Sequence, residues 1–194
     1  MRAAAHRQWV LGYVSGFNVA GPDQTGNLME TASRDELYAA TDGYCARHPT
    51  SVIADAMRPI AEAIIGRRGT PAIATEATER KKSATVEAAT TCQQWASGKN
   101  NSILRIAYVL ALGGYITAYN QWGPDPLGDA IGAEDPSLIG GAADKWCSEH
   151  PSGLLIGVVQ PLIDHVAAER VAGRLPPGGK RPPDEFSGVA AVKR

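Results

Sequence analysis

The chain contains one segment twice, at a constant offset and without a gap. Gly12-Tyr13-Val14-Ser15-Gly16-Phe17-Asn18 returns as Gly114-Tyr115-Ile116-Thr117-Ala118-Tyr119-Asn120. Gly21-Pro22-Asp23 returns as Gly123-Pro124-Asp125, and Asp42, Cys45, His48, Pro49 and Pro59 return as Asp144, Cys147, His150, Pro151 and Pro161. Every pair differs by the same amount (114 − 12 = 161 − 59 = 102). A period this long predicts two tandem copies of one small domain rather than a solenoid unit. Positions held in both copies then show what the unit needs.

Charge excludes some partners. Twenty acidic residues face nineteen basic ones, and the four histidines are scattered. Such a balance gives no electrostatic reason to expect nucleic acid or an anionic membrane. The longest nearly apolar run, Ile106 to Ile116, is too short to span a bilayer. Arg2 to Arg7 followed by Trp9 to Val14 has the outline of a weak export signal. The same segment recurs internally at Leu112 to Ala118, so Trp9 to Phe17 reads as a domain helix instead.

Cysteine placement points to compartment. Cys45 and Cys147 are equivalent, whereas the counterpart of Cys92 would fall before the first residue. The second copy therefore reads as a disulfide domain bridged Cys92 to Cys147, and the first as the same domain without its initial segment. A bridge of this kind implies an oxidising compartment. Three buried, reduced cysteines in a cytosolic protein are the alternative.

The expected organisation is all-α. Residues 3–67 form the first helical repeat, N-terminally incomplete. Residues 68–90 are a linker, 91–173 the second repeat, and 174–194 a disordered tail too rich in Pro, Gly and charge to bury a core. Leu104, Tyr108, Leu112, Tyr115 and Tyr119 share a helix face, as do Trp9, Tyr13 and Phe17. Gly12 and Gly16, matched by Gly114 and Ala118, predict a close helix crossing. Asn18 and Asn120 are expected to end these helices, since Asn tolerates left-handed backbone and a proline follows. The next helix has a start signal in each copy. Ser33 with Glu36 makes a capping box, and Asp135-Pro136 an N-cap with proline in the first turn. It ends near His48-Pro49 or His150-Pro151. The last helix, about 51–67 and 154–172, holds Pro59 or Pro161, which should kink it or separate a short turn from the main helix.

One cluster has the residue types of a reactive site. Asp42, Cys45 and His48, repeated as Asp144, Cys147 and His150, fall three apart and can share a helix face. They suit a histidine-activated thiolate or a metal site. The structural reading uses Cys147 for the bridge, the histidines at helix C-termini and the aspartates as solvated polar positions. A bridged cysteine cannot be a nucleophile, so the readings compete, and the structural one is preferred. The aromatics at helical spacing read as core before they read as a ligand pocket. Trp122, placed in a predicted loop where the first copy has Ala20, is a candidate partner contact. The open apolar face of Trp9, Tyr13 and Phe17 must be covered by the linker Ile73 to Val86, the second copy or another chain. No phosphate loop, nucleophile elbow or zinc spacing is present, and no cofactor is expected.

The second copy, with Thr91-Cys92-Gln93-Gln94-Trp95, then Gly114-Tyr115 and Asn120, then Asp125 and Asp129, then Lys145-Trp146-Cys147, resembles the HdeA-like superfamily of small helical periplasmic proteins. The Gly-Tyr-x-x-Gly/Ala element with a later Cys-x-x-x-Pro is similar to the Rap/Tai-type immunity proteins. The resemblance implies that Cys92 and Cys147 are a structural disulfide and that no residue is catalytic. It implies a periplasmic or secreted, non-enzymatic protein that binds a client or partner, chaperone-like or immunity-like. It also implies a pseudo-dimer of the two copies. The missing first segment and export signal lead to the expectation that both are encoded upstream of Met1. A metal- or thiol-dependent enzyme using the repeated cluster, or a purely structural module, is the alternative.

Overall fold

The computed structural model describes residues 2–21, 27–67, 90–123 and 136–173. Helices α1 (Arg2–Ala20), α2 (Arg34–Arg47) and α3 (Ile53–Arg67) belong to the first segment. Helices α4 (Cys92–Ser97), α5 (Ser102–Trp122), α6 (Pro136–Glu149) and α7 (Val159–Val171) belong to the second. Short 3-10 turns lie at Leu28–Glu30, Gly98–Asn100 and Leu155–Val158. The described residues are all-α, with a single isolated bridge between Thr91 and Leu154. Nearly all of the expected linker, the tail, Asp125, Asp129 and the Asp135 cap lie outside the described residues, as does Ile73 to Val86.

Local chemistry starts the helices. The Ser33 hydroxyl accepts from the Glu36 amide at 3.2 Å, and the Glu36 carboxylate accepts from the Ser33 amide at 2.7 Å. A second capping box, unnoticed in the sequence, opens α4: Thr91 Oγ1 accepts from the Gln94 amide at 3.1 Å and Gln94 Oε1 accepts from the Thr91 amide at 2.8 Å. Each box satisfies two amides that a helix start would otherwise leave without acceptors. Asn101 caps α5 through Leu104, and Pro136 opens α6, where its missing N–H costs nothing.

The centre of the molecule is the seam between α1 and α5. Gly12 lies against Ala111, Gly16 against Tyr115 and Ala118, and Gly114 against Trp9 and Tyr13. Contacts advance together along both helices, so α1 and α5 run parallel. A Cβ on Gly12 would fall on the Ala111 carbonyl, and one on Gly114 on the Trp9 carbonyl. The backbones approach this closely only because these positions lack side chains.

Two cores flank the seam. Trp9, Tyr13, Phe17, Leu28, Leu37, Met57 and Ile64 pack on one side. Trp95, Leu112, Tyr115, Ile116, Ile139, Leu155, Val159, Leu162 and Val166 pack on the other. Helix α5 serves both, because Ala118 joins the first core and Leu110 and Trp122 pack against it.

Two sequence expectations change, and one helix is longer than its apolar run suggests. Asn18 and Asn120 do not end their helices, which continue to Ala20 and Trp122. Asn18 is helical because its amide is used elsewhere: it donates to Asn27 Oδ1 at 2.8 Å and accepts from the Leu28 amide at 3.0 Å, anchoring the returning chain. Trp122 therefore sits in the last turn of α5, half-buried, and not in a loop. Finally, α5 is 21 residues long and apolar enough to cross a membrane by length and composition, which the shorter run Ile106 to Ile116 does not reveal. Its residues 111–118 are buried inside the protein.

The two internal prolines are handled differently. Pro59 lies inside a continuous α3. Pro161 falls in the first turn of α7, after a 3-10 turn ending at Val158, where no intrahelical donor is required.

Candidate functional site

The repeated Asp-x-x-Cys-x-x-His cluster divides its residues among separate tasks. On α6, Cys147 is bonded to Cys92 of α4, with Cα atoms 5.0 Å apart. Asp144 is engaged, contrary to the expectation of a solvated carboxylate. Its Oδ1 accepts from the Trp95 indole at 2.9 Å, and the Arg105 guanidinium grips both oxygens at 3.0 and 2.9 Å. The same guanidinium lies over the Trp95 ring, 3.9 Å from its centroid. One aspartate thus joins α4, α5 and α6. His150 stacks on Trp146 at 3.8 Å, and its Nδ1 lies 3.0 Å from the Trp146 carbonyl oxygen. On α2, Asp42 and His48 are exposed, Cys45 is a half-buried free thiol, and His48 tilts against Tyr44 at 4.4 Å. Among the described residues no group of three His, Cys, Asp or Glu side chains is placed to hold a metal ion.

The hydrogen bonds from Arg105 hold the Asp144 carboxyl below the usual carboxylate range; burial opposes them, and the weaker hydrogen bond from Trp95 adds to the lowering. A depressed folded-state pKa stabilises the protein above the unfolded value, near pH 4, and that contribution disappears as pH falls through the folded value. Asp144→Asn should therefore flatten the acid-side fall of the urea midpoint below about pH 4. An unchanged slope would show that this carboxylate does not couple to folding.

Trp9, Tyr13 and Phe17 are buried, and α5 covers them. Tyr13 donates its hydroxyl proton to Gln121 Oε1 and accepts from Trp122 Nε1 at 2.8 Å. Phe17 meets Trp122 edge to face at 5.0 Å. Burial pushes the Tyr115 phenol up to about 12, so it stays neutral beside the seam.

A feature missed in the sequence is a pair of grooves at equivalent places. Between α2 and α3, Glu36, Ala40, Tyr44, Arg47, Pro59 and Ile60 line a cavity of about 330 Å³. Between α6 and α7, the residues 102 positions later, Leu138, Ala142, Trp146, Glu149, Pro161 and Leu162, line one of about 490 Å³. The first is rimmed by Glu36 and Arg47. The second replaces the acid with Leu138, 36% exposed, and adds Lys145 and His165 at its edge. Helical periodicity hides such a site, because groove residues occupy the shoulder between core and solvent faces. The available signal is the exchange of Glu36 for Leu138 at a solvent-facing position.

No protein-family model, curated protein or solved structure matches the chain.

Proposed function

We propose that the chain is a tandem duplication of an HdeA-like helical domain, the first copy lacking its initial helix. In this reading it folds as a covalent pseudo-dimer and binds other proteins in the cell envelope without enzymatic action, to protect or inhibit them. The observation that carries the binding role is the recurring groove, apolar in the second segment with a mixed-charge rim. Volumes of this size and apolar linings with few polar groups are the usual form of recognition sites. Support for the pseudo-dimer comes from the reciprocity of the seam. Gly12 meets Ala111, and their counterparts, Gly114 and Trp9, meet each other. Such self-complementarity is the property of a two-fold interface. The Cys92–Cys147 disulfide is consistent with an oxidising compartment.

The test is a pair of assays on the full chain and on Leu138→Glu, which restores at the second groove the acid found at the first. Suppression of aggregation of an acid-denatured model enzyme at about pH 2–3 reads the protective role, since carboxylates are then protonated. Capture of a purified secreted hydrolase at neutral pH reads the inhibitory one. Leu138→Glu should weaken capture at neutral pH roughly tenfold or more, because it sets a charge against the apolar lining, and should weaken protection at about pH 2–3 less, because the added carboxyl is then neutral. Absence of both activities, or an unchanged Leu138→Glu variant, rejects the groove as the binding site.

A further inference from the structure

We infer that the groove between α6 and α7 takes a single amphipathic helix of a protein partner, one that carries an acid and a base a turn apart beside its apolar stripe. This rests on the reading of that groove as the binding site.

The walls exclude an extended occupant. A bound strand needs a free backbone edge to pair with. As helices, α6 and α7 spend their backbone groups internally. The extended stretch at the Trp146 end of the groove is already taken. The Cys92 amide donates to the Gly153 carbonyl at 2.9 Å, and the Leu155 amide donates to the Thr90 carbonyl at 2.8 Å. The Leu154 carbonyl accepts from the Trp146 indole at 3.2 Å. An occupant must therefore bring its own peptide groups already paired, and a helix does so.

The dimensions suit a helix as well. Gly157 lies against the Trp146 ring and closes one end. From there the groove follows α6 back through Ala142 to Leu138, and α7 forward through Leu162 to His165. The two walls are thus antiparallel. Leu138 to Glu149 covers about 16 Å at the rise of an α-helix, which about three turns of a partner would match. Side chains at i, i+3, i+4 and i+7 of that partner form a ridge that can enter the channel.

Charge specifies the flanks of the occupant. Lys145 and Glu149 stand one turn apart at the edge of the groove, both exposed. Their side chains make no hydrogen bond or ion pair among the described residues, not even with each other. In the first groove, by contrast, the Glu36 carboxylate is occupied by the Ser33 amide at 2.7 Å. An apolar channel edged by one unpaired cation and one unpaired anion complements a helix with an acid and a base at the same spacing. Exposed pairs of this kind contribute little affinity, but a reversed order sets like charges together, so they select the partner and its direction.

Two fluorescein-labelled peptides of about four turns test this on the full chain by fluorescence polarisation. Both are built of Ala and Gln with Leu at i, i+3, i+4 and i+7. Beside the stripe, one carries Glu followed four residues later by Lys, and the other carries the same two residues exchanged. One peptide should bind at least about fivefold more tightly than the other. It should also bind at least about tenfold more tightly than its version with two central prolines, which cannot form the helix. The double variant Lys145→Glu/Glu149→Lys should invert the order of the two helical peptides. Equal affinities, an order that survives the exchange, or a proline peptide that binds as well would overturn the inference. The Leu138→Glu variant separates this inference from the reading beneath it. Loss of hydrolase capture in that variant, with neither helical peptide bound by the parent, overturns the helical occupant alone. Unchanged capture in that variant, with charge-ordered peptide binding by the parent, supports the helix site and overturns the groove as the seat of capture.

Discussion

Gly114→Val should cost more than about 4 kcal/mol or prevent folding altogether. The added side chain would have to occupy the space of the Trp9 carbonyl and the Tyr13 amide, both backbone atoms of α1 that cannot rotate away. Relief requires α1 and α5 to separate along their whole contact, which opens both cores. The control is Gly140→Ala on α6, where an added Cβ meets nothing within 4 Å. There the substitution should stabilise by about 0.5–1 kcal/mol through helix propensity alone. Urea unfolding of the two variants reads both effects. A Gly114→Val protein that unfolds within about 1 kcal/mol of the parent would refute the close crossing.

Cys92→Ser should cost about 4 kcal/mol in the chain-entropy account, because the Cys92–Cys147 bridge spans a sequence separation of 55 residues. The loss should fall on the second segment, where α4 contributes the buried Trp95 to the core. Reduction of the parent protein should produce the same shift in urea midpoint, and the variant should no longer respond to reductant. A cost below about 1 kcal/mol would mean that the Thr91–Leu154 backbone pairing and the Asp144–Trp95 bond suffice to hold α4.

Much of the fold is legible in the residues, and for local reasons. Ser33 with Glu36 and Pro136 mark helix starts, because a helix must satisfy its first amides within a turn of its end. The aromatic stripes Trp9, Tyr13, Phe17 and Leu112, Tyr115 mark core faces, since burial follows a 3.6-residue period. The bridge Cys92–Cys147 follows from a cysteine held at equivalent positions. What escaped is of another kind. Asn18 has the side chain of a helix terminator, yet stays helical because a residue nine positions later accepts its amide. Asp144 looks like a surface carboxylate, yet the 39-residue separation from Arg105 conceals a bidentate ion pair.

The candidate sites show the same division. The Asp-x-x-Cys-x-x-His spacing was readable on sight, but spacing along a helix says nothing about what faces it. In the second segment α4 takes the sulfur and the carboxylate for structure. In the first, the same residues have no such helix among the described residues. The grooves were not readable, because their walls come from helices whose pairing is set by contacts far apart in sequence.

By itself the sequence determined the all-α class, the capped helix starts and the glycine positions where two helices could touch. Tertiary structure alone decided that the glycine faces of α1 and α5 meet each other, in parallel, so that one seam joins both cores. It also decided which carboxylates and thiols are engaged. The physical reason is one of range. Caps, periodicity and proline act within a few residues, whereas the partner of a close-packed backbone is chosen by the shape of an entire helix face.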